Sequence, residues 1–229
     1  MKKPNIKELI TQSTYSTIYN PIFKNGTKDI FAYEALSKFV LNNEDISCTE
    51  FFSRLQFNEK LFFHLEKKNK HHQINDADKS KKLILHFDVA VFSEKEYRKF
   101  WKEYLSEYKH RIVINIIYQD NLTNDNLKIK KKMVKWLIKH EFEFIINIFD
   151  DLDYKVSFYE IEKASYLRID KEILEKIRKN ISYFKLLNTL IDFAHESKTK
   201  LIMKHINTKE ELMLMEKFSI DYIHGDFFI

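Results

Sequence analysis

Three cations and three imidazoles stand at or near the ends of short apolar runs: Lys38, Arg168 and Lys204, and His86, His205 and His224. Brought together, the cations could bind an anionic ligand directly through charge-assisted hydrogen bonds. The competing reading is internal pairing, with Lys204 against Glu34. Three converging imidazoles could hold a transition metal. His205, however, follows Lys204 directly, and strand alternation turns neighbouring side chains to opposite faces, which argues against the triad. Cys48, in Ser47-Cys48-Thr49-Glu50, sits where a helix would start and reads as part of a cap rather than a nucleophile.

The elements that must position these residues follow from the alternation of short apolar runs with longer amphipathic segments, the pattern of strand-helix units closing a mostly parallel sheet. Eight strands are expected, at 16–23, 30–38, 82–88, 111–118, 142–148, 165–169, 200–205 and 220–224. The first two are joined by Lys24 to Asp29 only, too short for a parallel crossover, so they pair as an antiparallel hairpin. Helices are expected by period at 94–108, 124–139, 171–179, 183–197 and 208–217. The polar, aperiodic stretch 66–82 reads as a solvated loop. The run from Lys128 to Lys139 reads as an outer helix with a wet basic face. In such a barrel the chemistry lies at the C-terminal ends of the strands, so those residues are the ones to read.

At 229 residues the chain suits one large domain spanning 1–229. Two glycines and two prolines exclude long loop-rich stretches, and the single cysteine excludes an intramolecular disulfide. A net charge of +5 is mild, and nucleic acid is not expected as a partner. The apolar run Ile145 to Phe149 is far short of the roughly 20 residues of a membrane helix. Met1 to Ile10 lacks the apolar core of a secretory signal. The expectation is a cytoplasmic protein with no membrane contact. Phe227 and Phe228 are a candidate exposed docking patch.

The stretch Tyr19-Asn20-Pro21-Ile22-Phe23, the turn Asn25-Gly26 and Ala32-Tyr33-Glu34-Ala35-Leu36-Ser37-Lys38-Phe39 resemble the opening of an EAL domain, the cyclic di-GMP phosphodiesterase family of bacterial signalling. Further motifs follow at family spacing: Leu83-Ile-Leu-His86-Phe, Ile112-Val-Ile-Asn115, Phe142-Glu-Phe-Ile-Ile-Asn147-Ile148, Tyr166-Leu-Arg168-Ile-Asp170, Leu201-Ile-Met-Lys204-His205-Ile-Asn207 and His224-Gly225. The resemblance implies an α/β fold, a TIM-like (β/α)8 barrel of EAL type with one antiparallel strand. It also implies two divalent metals held by strand-end carboxylates, which activate a water for attack on a phosphodiester.

Against that cast, Glu34 matches a metal-binding Glu, and Lys38 stands for a phosphate-contacting Arg. His86 replaces a ligand Asn, Asn115 a ligand Glu, and Arg168 the catalytic Lys. Lys204 and Asn207 each replace a Glu, and His224 replaces a Gln. The fifth strand can be laid on the family's aspartate pair in two ways. Without a gap, Asn147 and Ile148 take its place, 21 residues before Arg168; the rival placing uses Asp150 and Asp151 and deletes three residues from the following helix. In the first placing Asp150, Asp151 and Asp153 form an acidic loop. The resemblance thus implies a degenerate phosphodiesterase: no catalytic residue, no metal, and a ligand pocket of Glu34, Lys38, His86, Asn115, Asn147, Arg168, Lys204 and His224. Such a protein is expected to act as a regulatory binding module, with an unknown protein partner, cyclic di-GMP or a second copy of the chain as candidate partners. The alternative is a weak or altered phosphodiesterase using magnesium or manganese at Glu34, Asp150 and Asp151.

Overall fold

The computed structural model describes residues 13–47, 51, 58–117, 124–148, 156–215 and 217–228. Strand β1 (Thr14–Lys24) turns through Gly26, at a positive φ of 73°, into β2 (Ile30–Leu41), and the two pair antiparallel over ten positions. A second tight turn at Asn42 and Asn43, both with positive φ, adds the short β3 (Glu44–Ile46). This asparagine pair is the chemistry of a two-residue hairpin turn. Parallel strands follow: β4 (Lys82–Asp88), β5 (Ile112–Ile117), β6 (Glu143–Ile148), β7 (Tyr166–Asp170), β8 (Lys200–Lys204) and β9 (Tyr222–Ile223). The order is β1-β9-β8-β7-β6-β5-β4-β2-β3, and the β1–β2 pairing closes an eight-stranded mixed barrel with β3 as the extra strand. Strand β1 runs antiparallel to both its neighbours, β2 and β9.

The α-helices whose bounds lie within the described residues are α1 (Glu59–Asn75), α2 (Lys95–Ser106), α3 (Asn124–Lys139), α4 (Phe158–Lys163), α5 (Glu172–Lys179), α6 (Ile181–Glu196) and α7 (Lys209–Met215). The larger core lies between these helices and the outer face of the barrel, where Trp101, Phe87, Leu105, Met133, Leu137 and Leu187 are buried. A second, smaller cluster fills the barrel itself: Ile22, Ala32, Ile84, Val113, Ile145, Tyr166 and Ile202, with Phe31 and Tyr222 packed against it.

Helix α1 corrects the expectation of a loop over 66–82. The segment lacks an apolar period because polar residues, Glu66, Asn69, Lys70 and Gln73, share its buried face with Phe62, Leu65 and Ile74. Lys70 pairs with Glu66 at 2.8 Å, both buried, and Ser37 hydrogen-bonds Asn69 and Gln73. Asn58 caps its first turn by accepting from the Leu61 amide. Helix α4 begins on a capping box, in which Ser157 accepts from the Glu160 amide while the Glu160 carboxylate accepts from the Ser157 amide. The same carboxylate receives the buried Lys130 ammonium of α3 at 3.1 Å. Ser157→Ala should lower the unfolding free energy by about 1 kcal/mol in a denaturant titration. An unchanged midpoint would show that the box contributes nothing.

Candidate functional site

The inner apolar layer sets the position of the site. Strand side chains repeat every two residues, so the residues two places further along each parallel strand point into the barrel one layer higher. From Ala32, Ile84, Val113, Ile145, Tyr166, Ile202 and Tyr222 the step of two reaches Glu34, His86, Asn115, Asn147, Arg168, Lys204 and His224. On the antiparallel β1 the step runs backwards, from Ile22 to Asn20, which pairs with Glu34 in register. These eight residues line one open cavity of about 330 Å³ at the mouth, together with Leu36, Ile117, His205, Asn207, Gly225 and Asp226.

Seven of the eight pocket residues expected from the sequence therefore meet. Lys38 does not: its ammonium turns to Asp45 of β3 at 3.0 Å, on the exposed rim. Residues missed by sequence reasoning are Asn20 and Asp226. Asn20 could have been found from its position two residues before the inward-facing Ile22. Asp150, Asp151, Asp153 and Cys48 lie outside the described residues, whereas Asn147 sits on β6, in register with Arg168.

Glu34 is the centre of the mouth and is buried to 2% exposure. Arg168 grips it with both terminal nitrogens, Nη1 on Oε1 and Nη2 on Oε2, the second at 2.7 Å. His86 Nε2 lies 2.5 Å from Oε1. Burial alone would raise the carboxyl pKa, but Arg168 and then His86 outweigh it and hold the group well below the usual carboxylate range. The Asn147 amide donates to Asn115 Oδ1 at 3.0 Å and to the Ile116 carbonyl, and the Asn115 amide stands 3.4 Å from His86 Nε2. Asn147, Asn115, His86, Glu34 and Arg168 thus form a continuous polar chain across five strands.

A second ion pair stands beside the first. Asp170 takes Lys204 Nζ and His205 Nδ1 on one oxygen, both at 3.1 Å, and the Glu172 amide on the other at 3.0 Å. Burial opposes ionisation of Asp170, but these donors depress its pKa strongly. The expected pairing of Lys204 with Glu34 is corrected: Arg168 takes Glu34, and Lys204 takes Asp170. His205 is also corrected, because it leaves β8 with φ at 63° and so turns into the mouth beside Lys204 instead of away from it. Its ring lies 6.4 Å from that of His224.

His224 is buried, with Nδ1 3.9 Å from Glu34 Oε2 and, among the described residues, no hydrogen-bond partner for that nitrogen. Gly225 follows because a Cβ there would stand 2.1 Å from the Ile206 carbonyl oxygen. The Ile206 amide donates to the His224 carbonyl at 3.0 Å, so the two backbones must run close together.

Apart from its imidazoles, the charged lining sets Glu34 and Asp226 against Arg168 and Lys204, with Asp170 holding Lys204 from behind. Of the two readings of these cations, the geometry matches internal pairing and not the free cationic cup, with Arg168 on Glu34 and Lys204 on Asp170. The described residues do not fit a divalent ion. Glu34 is forked by a guanidinium, Asp170 is taken by Lys204, and no group of three His, Cys, Asp or Glu among the described residues could hold a metal.

A barrel of this topology with a polar mouth at its strand ends defines a class, and the comparisons identify it. The EAL domain family profile matches residues 4–229, and the chain belongs to that family. No curated protein matches it. Among solved structures it is similar to an EAL domain protein from Listeria monocytogenes EGD-e, at 15% identity and a TM-score of 0.75, covering 93% of this chain and 87% of that one. It is also similar to the Bacillus subtilis YkuI protein, with an EAL domain, in complex with substrate cyclic di-GMP and calcium. That match has 17% identity and a TM-score of 0.73, covering 98% of this chain and 56% of that one. The Xanthomonas citri FimX EAL domain in complex with cyclic di-GMP matches at 12% identity and a TM-score of 0.65, over 93% and 86% of the two chains. The chain thus spans little more than half the length of YkuI, and at these identities the likeness speaks for the fold.

Proposed function

We propose that this EAL domain is catalytically inactive and works as a regulatory binding module in a cytoplasmic setting, with a protein partner and metal-free cyclic di-GMP as its ligands to test. The observation that carries this reading is the fork of Arg168 on Glu34. A dication at Glu34 would have to displace that guanidinium or sit against it. At an effective dielectric of about 20, unit charges 4 Å apart interact by roughly 4 kcal/mol, so a doubly charged ion meets a large opposing field. Arginine stays protonated at any working pH and cannot pass a proton to or from an attacking water. The position of Asn147 in the polar layer favours the gapless placing of the fifth strand over the one that uses Asp150 and Asp151.

Incubated with cyclic di-GMP and magnesium or manganese, the protein should release no linear dinucleotide above a no-enzyme control. Turnover that vanishes in Glu34→Ala would overturn the inactive reading. Calorimetric titration with cyclic di-GMP, with and without chelator, addresses the ligand: binding that persists in chelator supports the metal-free reading, and binding only in added metal refutes it.

A further inference from the structure

The net charge of this protein resides in one helix. Helix α3 holds six lysines and one aspartate, a net +5 that equals the net +5 of the whole chain, so everything outside it is balanced. Lys130 is buried against Glu160 and belongs to the fold. The other five, Lys128, Lys131, Lys132, Lys135 and Lys139, are exposed. They recur at the three- and four-residue spacing of one helical face, opposite the buried Met133, Val134 and Leu137. Lys128 has Asp125 at 3.0 Å. Among the described residues, no ion pair or hydrogen bond engages the ammonium groups of Lys131, Lys132, Lys135 and Lys139. Like charges at these spacings destabilise a helix, so the face weakens its own element unless something covers it. At its C-terminal end His140 reports the same field: burial lowers its pKa first, and Lys102, Lys139 and Lys109 lower it further.

We infer that this face is a docking surface for an acidic helical segment of a partner protein. The lysines form a straight stripe of about 16 Å along the helix axis. A second helix laid alongside can set carboxylates against it along its whole length, as charged flanking positions do in coiled coils. A nucleic acid duplex can take a helix into its major groove, but most contacts of duplex binders go to the phosphate backbone around it, and outside α3 the charge of this chain is balanced. A membrane offers no more than headgroup attraction, because the apolar face of α3 is committed to the barrel core. The surface lies outside the mouth, and the inference stands independently of what binds there.

The test is fluorescence anisotropy with a labelled synthetic helix about three heptads long carrying glutamate at the matching positions. The wild type should bind it at low salt and lose about tenfold in affinity between about 50 and 200 mM salt. Replacing Lys131, Lys132, Lys135 and Lys139 together by Gln should reduce binding at least about tenfold without lowering the melting temperature. Replacing the exposed Lys24, Lys28, Lys60 and Lys79 by Gln, an equal change in net charge, should leave it intact. No binding at low salt, or equal losses in the two variants, would overturn the inference. Tighter binding through the same lysines to a DNA duplex or to phosphatidylserine vesicles would also overturn it, by assigning the face to a different polyanion.

Discussion

Arg168→Met should lower the unfolding free energy by about 3–5 kcal/mol at neutral pH, read from denaturant unfolding, because it leaves the Glu34 carboxylate buried without its principal counter-charge. In the wild type, burial raises the Glu34 pKa, but Arg168 and His86 outweigh it and the folded value lies below the ordinary 4.5. The contribution of the group is therefore fully present above its unfolded pKa and is lost as pH falls through the folded one. In Arg168→Met burial is opposed mainly by His86 and the pKa should move upwards, so the deficit relative to wild type should shrink on acidification. The double variant Glu34→Gln, Arg168→Met carries no stranded charge and should recover most of the loss. A double variant as unstable as the single would show that the two side chains do not act as a pair.

The second large effect is at His224. Its pKa is pushed down to about 4, chiefly by burial and also by Arg168 and His205, against the upward pull of Glu34 and Asp226. The folded pKa lies below the ordinary 6.5, so between these values the unfolded chain holds the proton more tightly. Stability is full above pH 6.5, falls as pH drops towards 4, and changes no further from this group below that; the span corresponds to about 3 kcal/mol. His224→Gln cannot take up the proton. Comparing urea unfolding of the two proteins at neutral pH and near pH 4 should show the variant losing less stability. A difference between them that stays constant with pH would exclude His224 as a source of acid sensitivity.

The barrel was legible because its strands are runs of Val, Ile and Leu too short for helices, and the six-residue link from Lys24 to Asp29 left the first two strands only one way to pair. Helix α1 was not legible because pattern reading looks for an apolar stripe, and here Glu66, Asn69, Lys70 and Gln73 interrupt the buried face, pairing with one another or with Ser37. The errors at the mouth follow from single local features. Missing β3 removed Asp45 from view and left Lys38 free to be placed in the pocket. Strand alternation, extended one residue too far, sent His205 outwards where a positive φ brings it in. The pairing partners of Arg168 and Lys204 depend on reach between adjacent strands, which no linear pattern encodes.

The two-residue step between the apolar layer and the polar one sets a hydrophobic plug directly beneath the mouth of this barrel. Ile84, Val113, Ile145 and Ile202 plug its interior whatever stands above them. Each mouth residue is the next inward position on its own strand. Exchanges among the neutral rim residues, amide to imidazole, leave that plug untouched, whereas the buried Glu34–Arg168 pair can be rewritten without a large loss only if both members change together. The order in which such a rim can change is thus set by which of its charges are paired.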